Sequence, residues 1–305
     1  GLCPRLLLVS GLRDTAIQQA VQRLFEREQV KAVLCGTGFA SVQADQAGDG
    51  APLWRSLAVP VLQLLSSTGP RQRWQNSSVG LSPLDLSMQV ALPELDGRIG
   101  TRIGSFKELS RADEQLQCAI QSYEPDLEAL GWCAELAGRW IQLSYLPASS
   151  KRLAIVLANY PTRNSRLANG VGLDTPASAV QLLSWLRQEG YDLGGAEPPS
   201  SSQELISQLT AGRTPDAESW HLAASNHLSL DHYQRWWVQL DPAARERLEQ
   251  RWGPPEQDPA LEPQGFPIAA VIYGSVVVML QPSRGYDRDP SLSYHSPDLP
   301  PTHAY

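Results

Sequence analysis

Short apolar runs alternate with longer amphipathic stretches along this chain, which predicts strands and helices in turn. In the first part, Arg5–Val9 reads as a strand. Asp14–Glu28 reads as an amphipathic helix with Ile17, Val21, Leu24 and Phe25 inward. Lys31–Cys35 is the next strand, Ala51–Ala58 a short helix, and Val59–Leu65 another strand. Pro83–Ser87 suggests a helical turn, and Met88–Leu92 a strand ending at Pro93-Glu94. This β-α-β-α-β rhythm implies a parallel sheet with right-handed crossovers.

Ser110–Leu146 reads as helix broken near Pro125 and Gly131, and Pro147-Ala-Ser-Ser150 as a hinge. The rhythm then restarts with the buried strand Leu153–Leu157 and the helix Ala179–Gln188, with Trp185 and leucines on its apolar face. Gly194–Ser202 and Gly253–Pro267 are loop-like, and Asp231–Gln250 is helical. Ile268–Tyr273 and Val276–Leu280 are buried strands, and almost everything after Gln281 is loop. The expected fold class is α/β, with two Rossmann/flavodoxin-like parallel-sheet domains joined by helices. The expected boundaries are an incomplete first domain at 1–109, connecting helices at 110–147, and a second domain at 148–305 truncated at its C-terminal end.

Composition narrows the function classes. The net charge of −7 excludes the basic footprint of a nucleic-acid binder. No apolar run approaches the ~18 residues of a membrane span, since Gly274 and Ser275 interrupt the longest. Four cysteines without close C-x-x-C spacing fit a reduced, cytoplasmic protein. No glycine-lysine pair exists, so a Walker A loop is absent and ATP hydrolysis by this chain is not expected. Gly36-Thr-Gly-Phe-Ala40 lacks the third glycine of a dinucleotide site and reads as a tight turn.

The loop between Leu157 and Ser178 stands apart. It runs for about twenty residues where strand-to-helix connections usually have about two to six. It leaves the C-terminal end of a strand, where open α/β sheets bind ligands. Asn159, Arg163, Asn164, Arg166 and Asn169 give it donors and acceptors suited to amides and carboxylates. Asp174 or Thr175 caps the following helix, with Pro176 in its first turn; helix N-termini also bind anions, so capping and binding remain compatible.

Three segments together resemble the cobaltochelatase large-subunit (CobN) family. They are Asn159-Tyr-Pro-Thr-Arg163 with Asn169-Gly-Val-Gly-Leu-Asp-Thr-Pro-Ala-Ser178; Ala91-Leu-Pro-Glu-Leu-Asp-Gly97 followed by Arg102 and Ser105-Phe-Lys107; and Gln281-Pro-Ser-Arg-Gly-Tyr286 with Tyr294-His-Ser-Pro-Asp298 and Pro301-Thr-His-Ala-Tyr305. The magnesium chelatase large subunit shares something like the LPELDG segment but differs in the long loop, so the cobalt branch fits better. Members of that family are far longer, so this chain is expected to be an internal piece, inactive by itself.

The resemblance implies insertion of Co2+, the substrate metal, into hydrogenobyrinic acid a,c-diamide on the way to cobalamin. It also implies AAA+-type partner subunits that hydrolyse the ATP. The alternatives are magnesium and protoporphyrin IX, or a non-catalytic module that only holds a tetrapyrrole or docks the motor subunits. Chelation needs a base for the ring N–H protons, groups for the macrocycle periphery, and a metal ligand weak enough to let go. Glu94, placed at a strand edge and partly desolvated, is the candidate base, with Asp96 secondary as a turn residue.

Asn159, Arg163, Arg166, Asn169, Asp174, Thr175, Arg284 and Tyr286 are the candidate substrate-binding residues. Arg102 and Lys107 fit surface charge better than carboxylate docking. His295 and His303 are the candidate metal ligands, eight positions apart, which matches no standard metal motif. His221, His227 and His232 lack an i, i+4 pairing and are not expected to bind metal. Macrocycle chemistry needs Glu94, the long loop and the tail in one cleft, so the three are expected to converge.

Overall fold

The computed structural model describes residues 3–41, 52–115, 117–159, 164, 167–168, 170, 172–285 and 300–305. The chain divides into two compact units, Gly1–Tyr145 and Leu146–Tyr305.

In the first unit, α1 (Thr15–Glu28) starts at Asp14, whose carboxylate accepts from Ala16 N at 2.8 Å. β1 (Val33–Cys35) follows, then α2 (Pro52–Leu57), β2 (Val61–Ser67) and α3 (Arg71–Gln75). The sheet runs in the order β1-β2-β3-β4, where β3 is Ile99–Asp113 and β4 Cys118–Pro125. The pairs β1·β2 and β2·β3 are parallel and β3·β4 is antiparallel. β2 is central and buried almost throughout, which explains its continuous apolar run. α6 (Leu127–Tyr145) packs on β1, β2 and β3 through Ala129, Cys133 and Ala137, a buried stripe of small side chains spaced four apart.

Three expectations fail in this unit. Arg5–Val9 joins no ladder among the described residues, and Leu6 and Leu8 are exposed. Met88–Leu92 is helical, not a strand: α4 (Pro83–Asp85), a π-helical stretch Leu86–Ala91 and α5 (Leu92–Leu95) run on continuously. Periodicity cannot separate a short apolar helix from a short strand, and here Ser82 caps the helix with Pro83 at its first position. The wide turn bonds Leu92 N to Ser87 O, which leaves Met88 O to accept from Phe39 N at 2.8 Å.

Lastly, Ser110–Pro125 is not helix but the outer part of the β3–β4 ribbon, with α6 beginning only at Leu127. The ribbon is largely exposed, so it shows no apolar alternation. Backbone ladders and cross-strand pairs such as Lys107 with Tyr123 hold it instead.

The second unit follows its expected pattern more closely. β5 (Leu153–Leu157) pairs parallel with β9 (Val276–Leu280), which pairs antiparallel with β8 (Ala270–Tyr273). α7 (Thr175–Gln188) and α8 (Ser202–Leu209) bury Leu183, Leu205 and Leu209 in one core with Val276, Val278 and Leu280. Trp185, assigned to the buried face of α7, is exposed.

The Asp231–Gln250 helix is in fact two helices, α9 (Leu230–Trp237) and α10 (Pro242–Trp252), because Asp241-Pro242 caps and restarts the chain. Tyr233 and Trp237 of α9 form a smaller core with Phe266 of β7 (Phe266–Ile268), which pairs with β6 (Asn226–Leu228). The α/β class therefore holds, with parallel pairing in both units, although each main sheet also takes an antiparallel edge strand.

The β8–β9 hairpin turns at Gly274 with φ +53°, and its backbone touches Gly194: a Cβ on Gly274 would lie 2.2 Å from Gly194 N. A rigid backbone cannot yield, so Gly274→Ala should cost about 2 kcal/mol or more. Gly36→Ala, with nothing within 4 Å of its Cβ, should stay within about 0.5 kcal/mol. Urea midpoints of the two variants measure the difference.

Candidate functional site

The long loop leaves β5 at Leu157, at the C-terminal end of a strand with a parallel neighbour, as expected. Several of its described residues bond to one another. Asn159 is buried, and its Oδ1 accepts from Ala168 N at 3.3 Å. Thr175 Oγ1 donates to Ala168 O, so both polar groups of that left-handed residue are fixed, with φ +54°. Asp174 caps α7, accepting from Ala177 N at 2.9 Å. Asn159, Asp174 and Thr175, assigned to substrate, are thus engaged with the loop's own backbone. Asn164 is held from outside: its N–H donates to Asp216 Oδ2 at 2.7 Å and its Oδ1 accepts from Thr214 Oγ1 at 2.9 Å. Arg163, Arg166 and Asn169 lie outside the described residues.

Glu94 sits on α5, exposed, neither on a strand edge nor desolvated as expected. The buried chemistry of this segment belongs to the next residues. Asp96 and Arg98 form an ion pair at 2.6 Å with side chains 0% and 1% exposed. Asp96 Oδ2 also accepts from Ser41 N at 2.7 Å and Ser41 Oγ at 2.8 Å. The Arg98 guanidinium donates to Thr37 O at 2.9 Å, Phe39 O at 3.1 Å and Gln63 Oε1 at 3.0 Å. The pair therefore holds the glycine turn after β1 in place and anchors the end of the Glu94 helix to it. Asp96 is more than a turn residue. Arg98 escaped the sequence reading; its one signal was a charge pair two apart beside apolar strands.

Arg102 lies over the Trp132 ring at 4.5 Å and Lys107 over Tyr123 at 5.9 Å, as surface cations do.

In the tail, His303 is buried between Tyr233 and Trp237. Its Nε2 donates to Gly253 O at 2.8 Å, which can only accept, and its Nδ1 lies at hydrogen-bond distance, 2.8 Å, from the Tyr233 hydroxyl. Burial first, then the charge of Asp258, pushes the Tyr233 phenol above its ordinary value, so it stays a donor. His303, assigned as a metal ligand, is thus buried with both ring nitrogens hydrogen-bonded within the protein. Arg284 is exposed; Tyr286 and His295 lie outside the described residues. Among the described residues no group of three metal-binding side chains comes together. An apolar cleft of about 490 Å³, lined by Val156, Tyr233, Phe266, Met279, Gln281 and Tyr305, opens beside this tail.

One further cluster joins Arg213 and His227 to Glu262, with His227 Nε2 at 2.8 Å from Glu262 Oε2. The hydrogen bond with His227, then the charge and hydrogen bond of Arg213, hold the Glu262 carboxyl below its ordinary value of 4.5. A depressed carboxylate stabilises the fold above its unfolded pKa and loses that contribution as pH falls through the folded one.

Thermal melts should therefore fall as pH drops below 4.5 in the parent chain, and the Glu262→Gln variant should show a flatter acid limb. Arg98→Leu leaves Asp96 charged and buried, and should cost about 3–5 kcal/mol in urea unfolding. Glu94→Gln, on the exposed side of the same segment, should change stability by less than about 0.5 kcal/mol.

The CobN/Magnesium Chelatase family model matches residues 1–305, the whole chain. The aerobic cobaltochelatase subunit CobN of Pseudomonas aeruginosa is 42% identical over 308 residues, covering 100% of this chain and 24% of its own length. The chloroplastic magnesium-chelatase subunit ChlH of Oryza sativa is 27% identical over 290 residues, covering 90% of this chain and 19% of its own length. Among solved structures, the catalytic subunit of cobaltochelatase from Mycobacterium tuberculosis superposes with a TM-score of 0.76 at 33% identity, covering 96% of this chain and 24% of that one. The chain thus spans about a quarter of the length of the cobaltochelatase subunits it matches. By its matched length and its fold, the chain belongs to the CobN/magnesium chelatase family.

Proposed function

We propose that this chain is part of the tetrapyrrole- and metal-binding large subunit of an ATP-dependent cobaltochelatase. That subunit inserts Co2+ into hydrogenobyrinic acid a,c-diamide in the cytoplasm, and AAA+-type partner subunits hydrolyse the ATP. The observation that carries this reading is the long, internally braced loop at the end of β5. Its sequence is the family segment, and its side chains suit an amide- and carboxylate-bearing macrocycle. Relatives 42% and 40% identical are named as cobaltochelatase subunits, against 27% for the magnesium-chelatase subunit, which favours the cobalt branch.

In this reading Arg163, Arg166, Asn169, Arg284 and Tyr286 meet the macrocycle periphery. The apolar cleft beside the tail offers walls of the kind a flat ring needs. Glu94 takes the ring N–H protons. Its exposure leaves it open to substrate, and a macrocycle covering it would supply the desolvation that raises a carboxyl's basicity. Asp96 and Arg98 hold the end of its helix. His295 hands the metal over, with ligation weak enough to release it.

Steady-state chelation by the full-length subunit with its ATPase partners tests the proposal. Turnover of Co2+ with hydrogenobyrinic acid a,c-diamide should far exceed turnover of Mg2+ with protoporphyrin IX; the reverse preference would move the chain to the magnesium branch. Glu94→Gln should bind the tetrapyrrole normally and lose roughly 10²–10⁴-fold in turnover, the size of a lost acid–base contribution. Near-normal turnover removes Glu94 from that role. His295→Ala should raise the cobalt concentration needed for half-maximal rate, and an unchanged cobalt dependence would leave that histidine without a metal role.

A further inference from the structure

Among the described residues of the long loop, Leu167 and Ala168 are buried in the core of the unit, and Asn164 is gripped at two points by polar groups outside the loop. Its backbone N–H donates to Asp216 Oδ2 at 2.7 Å, and its side-chain Oδ1 accepts from Thr214 Oγ1 at 2.9 Å. Two bonds to backbone and side chain fix both the position and the orientation of one residue, which a single bond would not.

The gripping segment is itself buried and internally satisfied. Thr214, Asp216 and Ser219 are 3%, 8% and 4% exposed. Thr214 Oγ1 gives its proton to Asn164 and accepts from Asp216 N at 3.2 Å. Ser219 Oγ accepts from Thr214 N at 2.9 Å and donates to Asp216 O at 2.7 Å. Asp216 Oδ1 accepts from Glu218 N at 3.0 Å while Oδ2 takes Asn164. The Ser219 hydroxyl also lies 2.9 Å from Thr214 Oγ1 and 3.2 Å from Thr214 O, so its one proton is shared among three acceptors of the same network. Arg213, the preceding residue, bonds Glu262 and lies over Trp220 at 5.0 Å, and Glu262 bonds His227 of β6. The segment is therefore fastened to the small sheet behind it.

We propose that Thr214, Asp216 and Ser219 form a buried clamp that fixes Asn164 of the long loop in place for its tetrapyrrole ligand. The inference rests on the reading that this loop contacts the macrocycle. Buried as they are, Thr214 and Ser219 are positioning residues and not contacts. A loop that is competent only part of the time binds with its intrinsic affinity divided by the competent fraction. Once ligand is bound the competent state is selected, so loss of the clamp raises the tetrapyrrole Kd and KM and spares kcat. Loss of a group touching the reacting atoms lowers kcat instead.

The experiment uses the full-length subunit with Thr214→Val, which keeps the shape and removes the hydroxyl, and Thr214→Ser, which restores it. Asn164→Ala approaches the same bond from the loop side and serves if the valine variant does not fold. Against hydrogenobyrinic acid a,c-diamide, Thr214→Val should raise KM about ten-fold with kcat and cobalt dependence within about two-fold, and Thr214→Ser should match the parent. The double variant Thr214→Val/Asn164→Ala should be no worse than the more affected single variant, because Thr214→Val already removes the side-chain bond that Asn164→Ala removes.

A second readout needs no activity: trypsin should cleave the bond on the N-terminal side of the gripped Asn164, after Arg163, several-fold faster in Thr214→Val than in the parent or Thr214→Ser. Unchanged trypsin cleavage, strict additivity of the two variants, or a loss confined to kcat would each overturn the clamp. If the parent subunit fails to bind the tetrapyrrole at all, the functional reading falls, and the trypsin comparison still decides the clamp.

Discussion

Buried backbone that belongs to no helix or sheet must find hydrogen-bond partners elsewhere, and the irregular parts of this chain depend on that constraint. The glycine turn after β1 gives its carbonyls at Thr37 and Phe39 to Arg98, and the Phe39 amide to Met88 O of the π-helical stretch. Ala168 in the long loop gives its amide to Asn159 and its carbonyl to Thr175. Asn164 gives its amide to Asp216. In each case a polar side chain or a displaced helical carbonyl replaces the ladder that regular structure would supply. The described residues of the long loop are held in this way, with Asn159 and Asp216 buried among their partners.

That constraint separates two kinds of residue within the same motif. In the Leu92–Arg98 segment, Asp96 and Arg98 face inward and hold the turn, while Glu94 stands exposed on the helix they terminate. In the long loop, Asn159, Asp174 and Thr175 serve the loop's own geometry. A motif's polar residues therefore divide between those that bond the chain's own backbone and those that stay exposed. His303 illustrates the first kind in the tail. Its ring is locked by Tyr233 and Gly253, and it packs the Pro300–Tyr305 end against α9, with Trp252 Nε1 donating to Pro300 O at 2.8 Å.

The sequence by itself determined the α/β class, the strands β1, β2, β5, β8 and β9, the helices α1 and α7, and the place of the long loop. These are local matters: apolar runs, capping side chains and glycines act within a few residues of themselves. Its family segments determined the kinship as well.

What only the tertiary structure decided was which polar side chains turn inward. Nothing near Asp96 in sequence announces Ser41, fifty-five positions away, as its partner. Nothing near Asn164 announces Thr214 and Asp216. The β3–β4 ribbon was equally hidden, because a solvated ladder is held by backbone bonds and carries no apolar alternation to read. Met88–Leu92 could be strand or helix until Ser82, Pro83 and the Phe39 amide settled which backbone bonds it makes. Periodicity reports which residues avoid water; it does not report where buried polar groups find their partners, and the candidate site is built from those pairings.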